Sequence, residues 1–394
     1  MPKKTVENID VTGKRVLLRV DFNVPMTREG VISDDSRIRA TLPTFRYLIG
    51  HRARIIACSH LGRPKGRAID TLRMAPVARR LSELLKKPVR ALMDCVGRAV
   101  DDEVSGMKEG DIILLENLRF HAEEEANDPG FSLALSRLGD VYVNDAFGAS
   151  HRSHASVTGV VSYLPAVSGL LMEKELDMLG GLLATPKRPF AAVIGGAKVS
   201  GKLMMLEHIL KKVDTLIIGG GMAATFFKSS GYCTGSSLVE NENLAYVRDL
   251  FEKARSSGVH LLLPPDVVIT QNLDNGNDLQ VVPVTRIPEG WAIADIGPEA
   301  IKEFSQEIGR CKTVFWNGPM GVFEIPQFSQ GTRALATVLA DLDATTIIGG
   351  GSTAEIVTKL KLAGKMSHVS TGGGASLQFL SGNELPGVAA LPDK

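Results

Sequence analysis

Short runs of Val, Ile, Leu and Ala recur along the chain, separated by longer stretches with helical spacing. The runs predict strands at Arg15–Val20, Arg54–Cys58, Asp111–Leu115 and Val141–Val143 in the first half. In the second half they predict Phe190–Ile194, Thr215–Ile218, His260–Leu263, Thr313–Trp316, Thr345–Ile348 and His368–Ser370. Several are continuously apolar rather than alternating, which is the pattern of a strand covered on both faces in a parallel sheet. Between them lie helical segments such as Leu72–Lys87, which must stop at Pro88. Strand–helix alternation over this length predicts an α/β protein with doubly wound, mostly parallel sheets flanked by helices. Met172, Leu176, Leu179 and Leu183 share one face of a helix. The polar, Pro-containing ATPKRPF follows them, so residues 171–184 read either as a connector between two domains or as one more packed helix of a single domain.

Length changes the picture little: 394 residues favour two or three domains, each with its own core. Charge changes it more. Lys and Arg total 45 against 44 acids, and aromatics are 5 %, which argues against a nucleic-acid binder. Cys58, Cys95, Cys233 and Cys311 are far apart with no C-x-x-C, so no structural metal and a reducing, cytoplasmic setting are expected. The start MPKKTVENID lacks an apolar signal region, and no run of 18 apolar residues exists, so no membrane association is expected.

The halves differ in chemistry. Residues 1–170 hold 25 Lys and Arg, 18 of them Arg, and five of the eight His. The second half holds four strand ends running into glycines: VIGGAKVSGK (193–202), LIIGGGMAATF (216–226), TIIGGGSTAEIV (346–357) and VSTGGGASL (369–377). A strand, a Gly turn and a helix start offer free N–H groups and a positive dipole end to phosphate. One such turn is weak evidence, because tight turns need Gly for steric reasons alone; four in one half are stronger. Gly196–Lys202 reads G-x-x-x-x-G-K, but Leu203 replaces the Ser or Thr of a P-loop. No turn matches G-x-G-x-x-G, which removes the fingerprint of a dinucleotide-dependent dehydrogenase. With a helix expected to start near Ala197, Lys198 and Lys202 oppose its dipole unless an anion sits there.

In the first half, strand ends present Arg or His repeatedly. RVDFNVP (19–25) offers Asp21 and Asn23, and DDSRIRA (34–40) offers Arg37 and Arg39. SHLGRPKG (59–66) offers His60 and Arg63, and ENLRFHAEEE (116–125) offers Arg119 and His121. VNDAFGASHRSHAS (143–156) offers His151, Arg152 and His154. Any one of these reads equally well as an ordinary surface residue or, for Asn23, a turn cap. Together they point to an anion gripped by side chains, since Arg binds phosphate and carboxylate bidentately. Cys or carboxylate partners at metal-ligand spacing are not evident around these histidines.

These motifs, with WNGPMGVFE (316–324), occur in the order of the phosphoglycerate kinases, which the chain resembles over essentially its whole length. The resemblance implies two Rossmann-like domains joined by a helical hinge. It assigns 1–170, with about 380–394 returning, to 3-phosphoglycerate, 171–184 to the connector and 185–379 to the nucleotide. It implies reversible phosphoryl transfer from 1,3-bisphosphoglycerate to ADP, giving 3-phosphoglycerate and ATP, by a monomer with Mg2+ on the nucleotide. Matching positions imply triose-phosphate ligands at Asp21, Asn23, Arg37, His60, Arg63, Arg119 and Arg152. Catalytic groups are implied at Arg37, Lys198, Gly373 and Gly374. Nucleotide contacts are implied at Lys202, Gly220, Gly221, Ile293, Asn317, Pro319, Val322, Glu324, Gly350, Gly351, Ser352 and Thr353. Glu175 and His368 match a pair near the hinge. Three residues depart from the family pattern: Ser352 replaces Asp, Ile293 replaces Gly, and Gln378 replaces Glu. The loss of the Asp motivates a rival expectation, a non-catalytic nucleotide-binding member of the same family.

Overall fold

The computed structural model describes residues 2–27 and 30–394. The chain forms two compact units, Met1–Asp177 with Glu384–Lys394, and Met178–Asn383. The division falls inside helix Leu170–Ala184.

The first unit is built on β1 (Arg15–Arg19), β2 (Arg54–Cys58), β3 (Arg90–Ala91), β4 (Ile112–Leu114), β5 (Val141–Asn144) and β6 (Ala166–Ser168). They form one sheet in the order β3-β4-β2-β1-β5-β6, every neighbouring pair parallel. Leu17 stands opposite Ile56 and Tyr142. The continuous apolar runs follow from this placement. Val16, Leu18, Ile55 and Ala57 face one core with Ile38, Leu42 and Phe45 of helix Ser36–Gly50. Leu17, Ile56 and Tyr142 face the other, with Val100 and Val104 of helix Arg98–Ser105. Each fully buried Leu or Ile contributes about 1.5–3 kcal/mol by leaving water. The last residues are built into this unit. Gly387 N–H donates to Ser150 O at 2.8 Å, Lys4 N–H donates to Pro392 O at 2.9 Å, and Leu391 lies in the second core.

The second unit carries β7 (Phe190–Ile194), β8 (Thr215–Ile218), β9 (His260–Leu262), β10 (Asp266–Thr270), β11 (Gln280–Pro283), β12 (Ala292–Ile296), β13 (Thr313–Asn317), β14 (Thr345–Gly349) and β15 (His368–Val369). Six of these form a parallel sheet, β15-β14-β13-β7-β8-β9. The chain winds outward from β7 through β8 on one side and from β13 through β14 on the other. Their carboxyl ends therefore meet at a topological switch point, where such sheets open a crevice. The remaining three form an antiparallel sheet, β11-β10-β12, absent from the sequence expectation. Residues of β11 are mostly exposed, so an apolar-run criterion passes over it.

Two helices differ from expectation in where they begin or end. Residues 72–87 split into a 3-10 turn, Asp70–Leu72, and helix Ala75–Leu85, with Pro76 in its first turn. Lys86, left-handed at φ 53°, ends that helix before Pro88 does. The helix expected near Ala197 begins at Leu203, after a 3-10 turn over Ser200–Lys202. Gly196 at φ +99° turns the chain away from helical geometry first.

Candidate active site

The first unit gathers its cations around the ends of β1, β2 and β4. Asp21 follows β1 in a turn in which its Oδ1 accepts the Asn23 N–H at 3.1 Å. Asn23 Oδ1 in turn accepts the Gly62 N–H at 2.8 Å, tying this turn to the loop after β2. Arg37, in the first turn of its helix, donates to Asp21 Oδ2 at 2.8 Å. Arg39, two residues on, pairs with Asp35 at 2.8 Å on the exposed face, so helical geometry separates the two arginines. Burial would raise the Asp21 carboxyl, but neighbouring positive charge outweighs it and holds the group at about 2. Arg37 contributes most to that effect, with Arg19 adding less than His60. The burial of His60, reinforced by Arg19, Arg119 and Arg37, keeps its pKa well below the usual value. Arg19 Nη2 lies 3.2 Å from His60 Nδ1, and since guanidinium only donates, Nδ1 is the accepting nitrogen.

Arg119 is 3 % exposed and donates to Gly62 O at 2.8 Å. Its Nε lies 3.2 Å from Glu125 without hydrogen-bond alignment, and Nε and Nη2 are buried with no hydrogen-bond partner among the described residues. Burial, then the Arg152 charge, brings it down to about 10. His154 falls to about 4 through burial and the charges of Arg119, Arg19 and Arg152. His151 is lowered by burial and Arg152, and its Nδ1 is buried and unpartnered among the described residues. Such a cluster is short of negative charge and of acceptors, which is what an anionic ligand supplies. Arg152 is half-buried here, while Arg63 is exposed on its loop.

Some members of this cluster were missed by reading the sequence. Arg19 is 1 % exposed and donates to Ser156 Oγ at 2.9 Å. Glu124, fully buried, accepts from the same hydroxyl at 2.6 Å and from Ser156 N–H at 2.9 Å. A lone charge ending an apolar strand was the available signal for Arg19. His121 turns away from the cluster and pairs with Asp94 at 2.7 Å. Asp94, Cys95 and His121 each bring one potential ligand atom within 4.8 Å of the others, a grouping the residue spacing had hidden. Burial, with Asp94 adding, pushes the Cys95 thiol well above its usual range, and the residue packs in the apolar core.

In the second unit the switch point supplies the site. Gly195 N–H donates to Asn317 O at 2.9 Å, and Gly196 N–H donates to Pro319 O at 2.8 Å. Lys202 donates to the carbonyls of Gly195 and Asn317. Burial lowers its ammonium to about 8, and its hydrogen bonds go to neutral carbonyls. Thr353 Oγ1 accepts the Gly318 N–H at 2.7 Å, so the helix Gly351–Lys359 fixes the loop after β13. Asn317 Nδ2 is buried and unpartnered among the described residues, and a Cβ on Gly350 would lie 2.8 Å from it. Gly220 has φ +66°, and a Cβ there would lie 2.6 Å from Gly196 N. Gly221 follows it, and a Cβ there would meet Ala197 Cα at 3.3 Å.

Other positions named from the sequence lie around these strands. Val322 N–H donates to Ala294 O at 2.9 Å. Ile293 N–H donates to Ser237 Oγ at 2.9 Å, with its side chain 9 % exposed. Glu324, Gly351, Ser352 and Lys198 are exposed. Gly373, at φ +49°, caps helix Gly374–Leu380, and Ser370 Oγ accepts the Gly372 N–H at 3.1 Å. No helix of the described residues is long and apolar enough to cross a membrane.

Comparison with known proteins agrees over the whole chain. The family model for phosphoglycerate kinase matches residues 6–383. The phosphoglycerate kinase of Pelotomaculum thermopropionicum is 57 % identical over 394 residues, and that of Moorella thermoacetica 52 %, each covering 100 % of both chains. The solved phosphoglycerate kinase of Coxiella burnetii superposes with a TM-score of 0.88 at 40 % identity, covering 99 % of this chain and 98 % of that one. That of Pyrococcus horikoshii gives 0.87 at 33 %, covering 98 % of each. With two parallel sheets, a cluster of buried cations on one unit and Gly-rich turns at the switch point of the other, the chain matches phosphoglycerate kinases over its whole length and belongs to that family.

Proposed function

We propose that the cationic cluster of the first unit holds 3-phosphoglycerate and that the β7–β13 crevice of the second holds ADP or ATP. The activity is that of the family, a phosphotransferase with a carboxyl acceptor. The observation that carries the assignment of the first site is Arg119, buried with Nε and Nη2 lacking hydrogen bonds among the described residues although Nε lies in an ion pair with Glu125. In the ATP-consuming direction a carboxylate oxygen of 3-phosphoglycerate forms a bond to the γ-phosphorus while the bond to the ADP oxygen breaks. The carboxylate is ionised at neutral pH, so no general base is required. The histidines of the cluster fit that role. His60 and His154 have pKa values far below neutrality and serve as neutral hydrogen-bonding groups. Catalysis then rests on alignment and on charge stabilisation of the transferring group. Arg37, Lys198 and the amides at Gly373 and Gly374 are assigned to it.

The donor set of the second site favours a metal that comes with the nucleotide. Ser352 at the helix start offers a neutral hydroxyl, and Asn317 and Thr353 are also uncharged. These groups fit Mg2+ that arrives on the nucleotide, held by phosphate oxygens and water, better than an ion caged by protein. Ser352 would hold it on the protein side, and when bound it neutralises phosphate charge. A cytoplasmic setting is proposed, in keeping with four unpaired cysteines, and a monomer by resemblance to the family. The test is ATP-dependent phosphorylation of 3-phosphoglycerate, with the acyl phosphate coupled to NADH oxidation. Turnover dependent on both substrates supports the assignment. Nucleotide binding without turnover at any Mg2+ concentration rejects it.

A further inference from the structure

The Gly195–Lys202 loop carries both lysines assigned to phosphate, yet the described structure holds its middle loosely. Gly196 is bonded on both sides, accepting the Met222 N–H at 2.9 Å and donating to Pro319. None of the described hydrogen bonds involves Ala197 or Lys198, and both residues are exposed. The next fixed point is a carboxylate from elsewhere in the unit. Glu240 Oε2 accepts the Val199 N–H at 2.5 Å and the Ser200 N–H at 3.0 Å, and Oε1 accepts the Ser200 hydroxyl at 2.5 Å. Two successive N–H groups aimed at one oxygen form an anion cradle, and the protein fills it with its own side chain. These amides are therefore not the free phosphate donors that the Gly-rich sequence suggests.

Glu240 is in turn well anchored. It is 8 % exposed, its N–H donates to Thr225 Oγ1 at 3.2 Å, and its carbonyl accepts the Asn243 N–H at 3.0 Å. Thr225 is 1 % exposed on helix Ala223–Ser229, which follows the β8 glycines. A rigid element thus reaches through Glu240 to the residue directly after Lys198. We propose that Glu240 is a positioning residue for phosphoryl transfer, fixing the Val199–Ser200 turn so that Lys198 meets the transferring phosphate while Lys202 meets the nucleotide. This rests on the assignment of Lys198 above. The carboxylate touches no substrate; it holds the turn through three hydrogen bonds, and its charge also acts directly on Lys198, a contribution that Glu240→Gln removes while keeping the hydrogen bonds.

The test measures kcat and both KM values per folded, active-site-titrated enzyme for Glu240→Ala, Glu240→Gln, Ser200→Ala and Lys198→Ala. Loss of alignment in Glu240→Ala should lower kcat by about 10- to 100-fold and raise the KM for ATP. The KM for 3-phosphoglycerate should stay unchanged, because that ligand is assigned to other residues. Glu240→Gln can still accept both amides and donate to Ser200 Oγ, so it should recover to within about threefold of the parent. Ser200→Ala removes one donor and should show a smaller loss of the same kind. Parent-like kinetics in Glu240→Ala would overturn the proposal. Equal impairment in Glu240→Ala and Glu240→Gln would overturn it too, since geometry would then not be what matters. If Glu240→Ala does not fold, parent-like kinetics in Ser200→Ala decide against it. Undiminished turnover in Lys198→Ala would sink the site assignment itself. An inactive Lys198→Ala beside a parent-like Glu240→Ala would sink only the role of Glu240.

Discussion

Arg37 is pinned from one side by Asp21 and is 27 % exposed on the other, so it holds its geometry before any ligand arrives. Removing a preorganised charge from a phosphoryl-transfer site costs roughly 10²–10³ in rate, about 3–4 kcal/mol. Arg37→Ala is therefore expected to lose that much in kcat in the coupled assay, and Arg39→Ala, on the other face, far less. Lys202 gives a pH dependence. Its ammonium titrates at about 8 because burial disfavours the charge. In the free protein it is uncharged above that pH, so ADP affinity should fall as pH rises through about 8. Lys202→Met should bind weakly with a flat profile, as read by equilibrium binding. The folded value lies below the unfolded 10.5, so the unfolded chain binds the extra proton and stability rises with pH between the two. Ser352 offers the third residue-scale test. Ser352→Asp adds a carboxylate where the helix begins and should lower the Mg2+ concentration giving half-maximal turnover, measured by titration at fixed ATP. An unchanged requirement would show that the position does not meet the metal.

At the scale of elements, the strands were the most legible part of the sequence. β2, β7 and β8 have the ends expected from their apolar runs, because a strand covered on both faces admits almost nothing polar. β3 and β6, of two and three residues, were too short to register. The loop before Leu203 shows why helix starts are harder. Whether Ala197–Lys202 coils depends on Gly196 and on a carboxylate 40 residues away, and only the second overrides local propensity. Turns at the switch point depend on glycine for space as well as for φ. Gly220→Ala would place a methyl against Gly196 N and Pro319 O and force a residue with a side chain to φ +66°. A loss of about 2–3 kcal/mol is expected in urea unfolding, with nucleotide binding falling alongside it. Gly351→Ala, where nothing lies within 4 Å of the added carbon, should be far milder.

For the whole molecule, the two proposed ligand sets belong to separate compact units, and a single transfer step requires the ligands to meet. Closure is therefore expected, with helix Leu170–Ala184 as the hinge: the radius of gyration should fall when both substrates are added and stay unchanged with either alone. Unchanged scattering with both present would reject the hinge. Asp145, which accepts the N–H groups of Leu171 and Met172 at 2.9 and 3.1 Å, anchors the start of that helix. By itself the sequence determined the fold class, the parallel strands, the Gly-rich turns and the family. Those properties reside in local patterns of burial, turn chemistry and motif order, each legible without knowing what faces what. It also supplied most of the cations assigned to the triose phosphate. Only the tertiary structure decided that Arg37, already favoured by motif order, pairs with Asp21, that Arg19 stands behind His60, and that His121 goes to Asp94. It alone showed that Glu240 fills the cradle before Lys202. Such choices depend on the burial of charge and on partners distant in the chain. The free energy of a buried ion is set by what surrounds it in space, which no window of sequence contains.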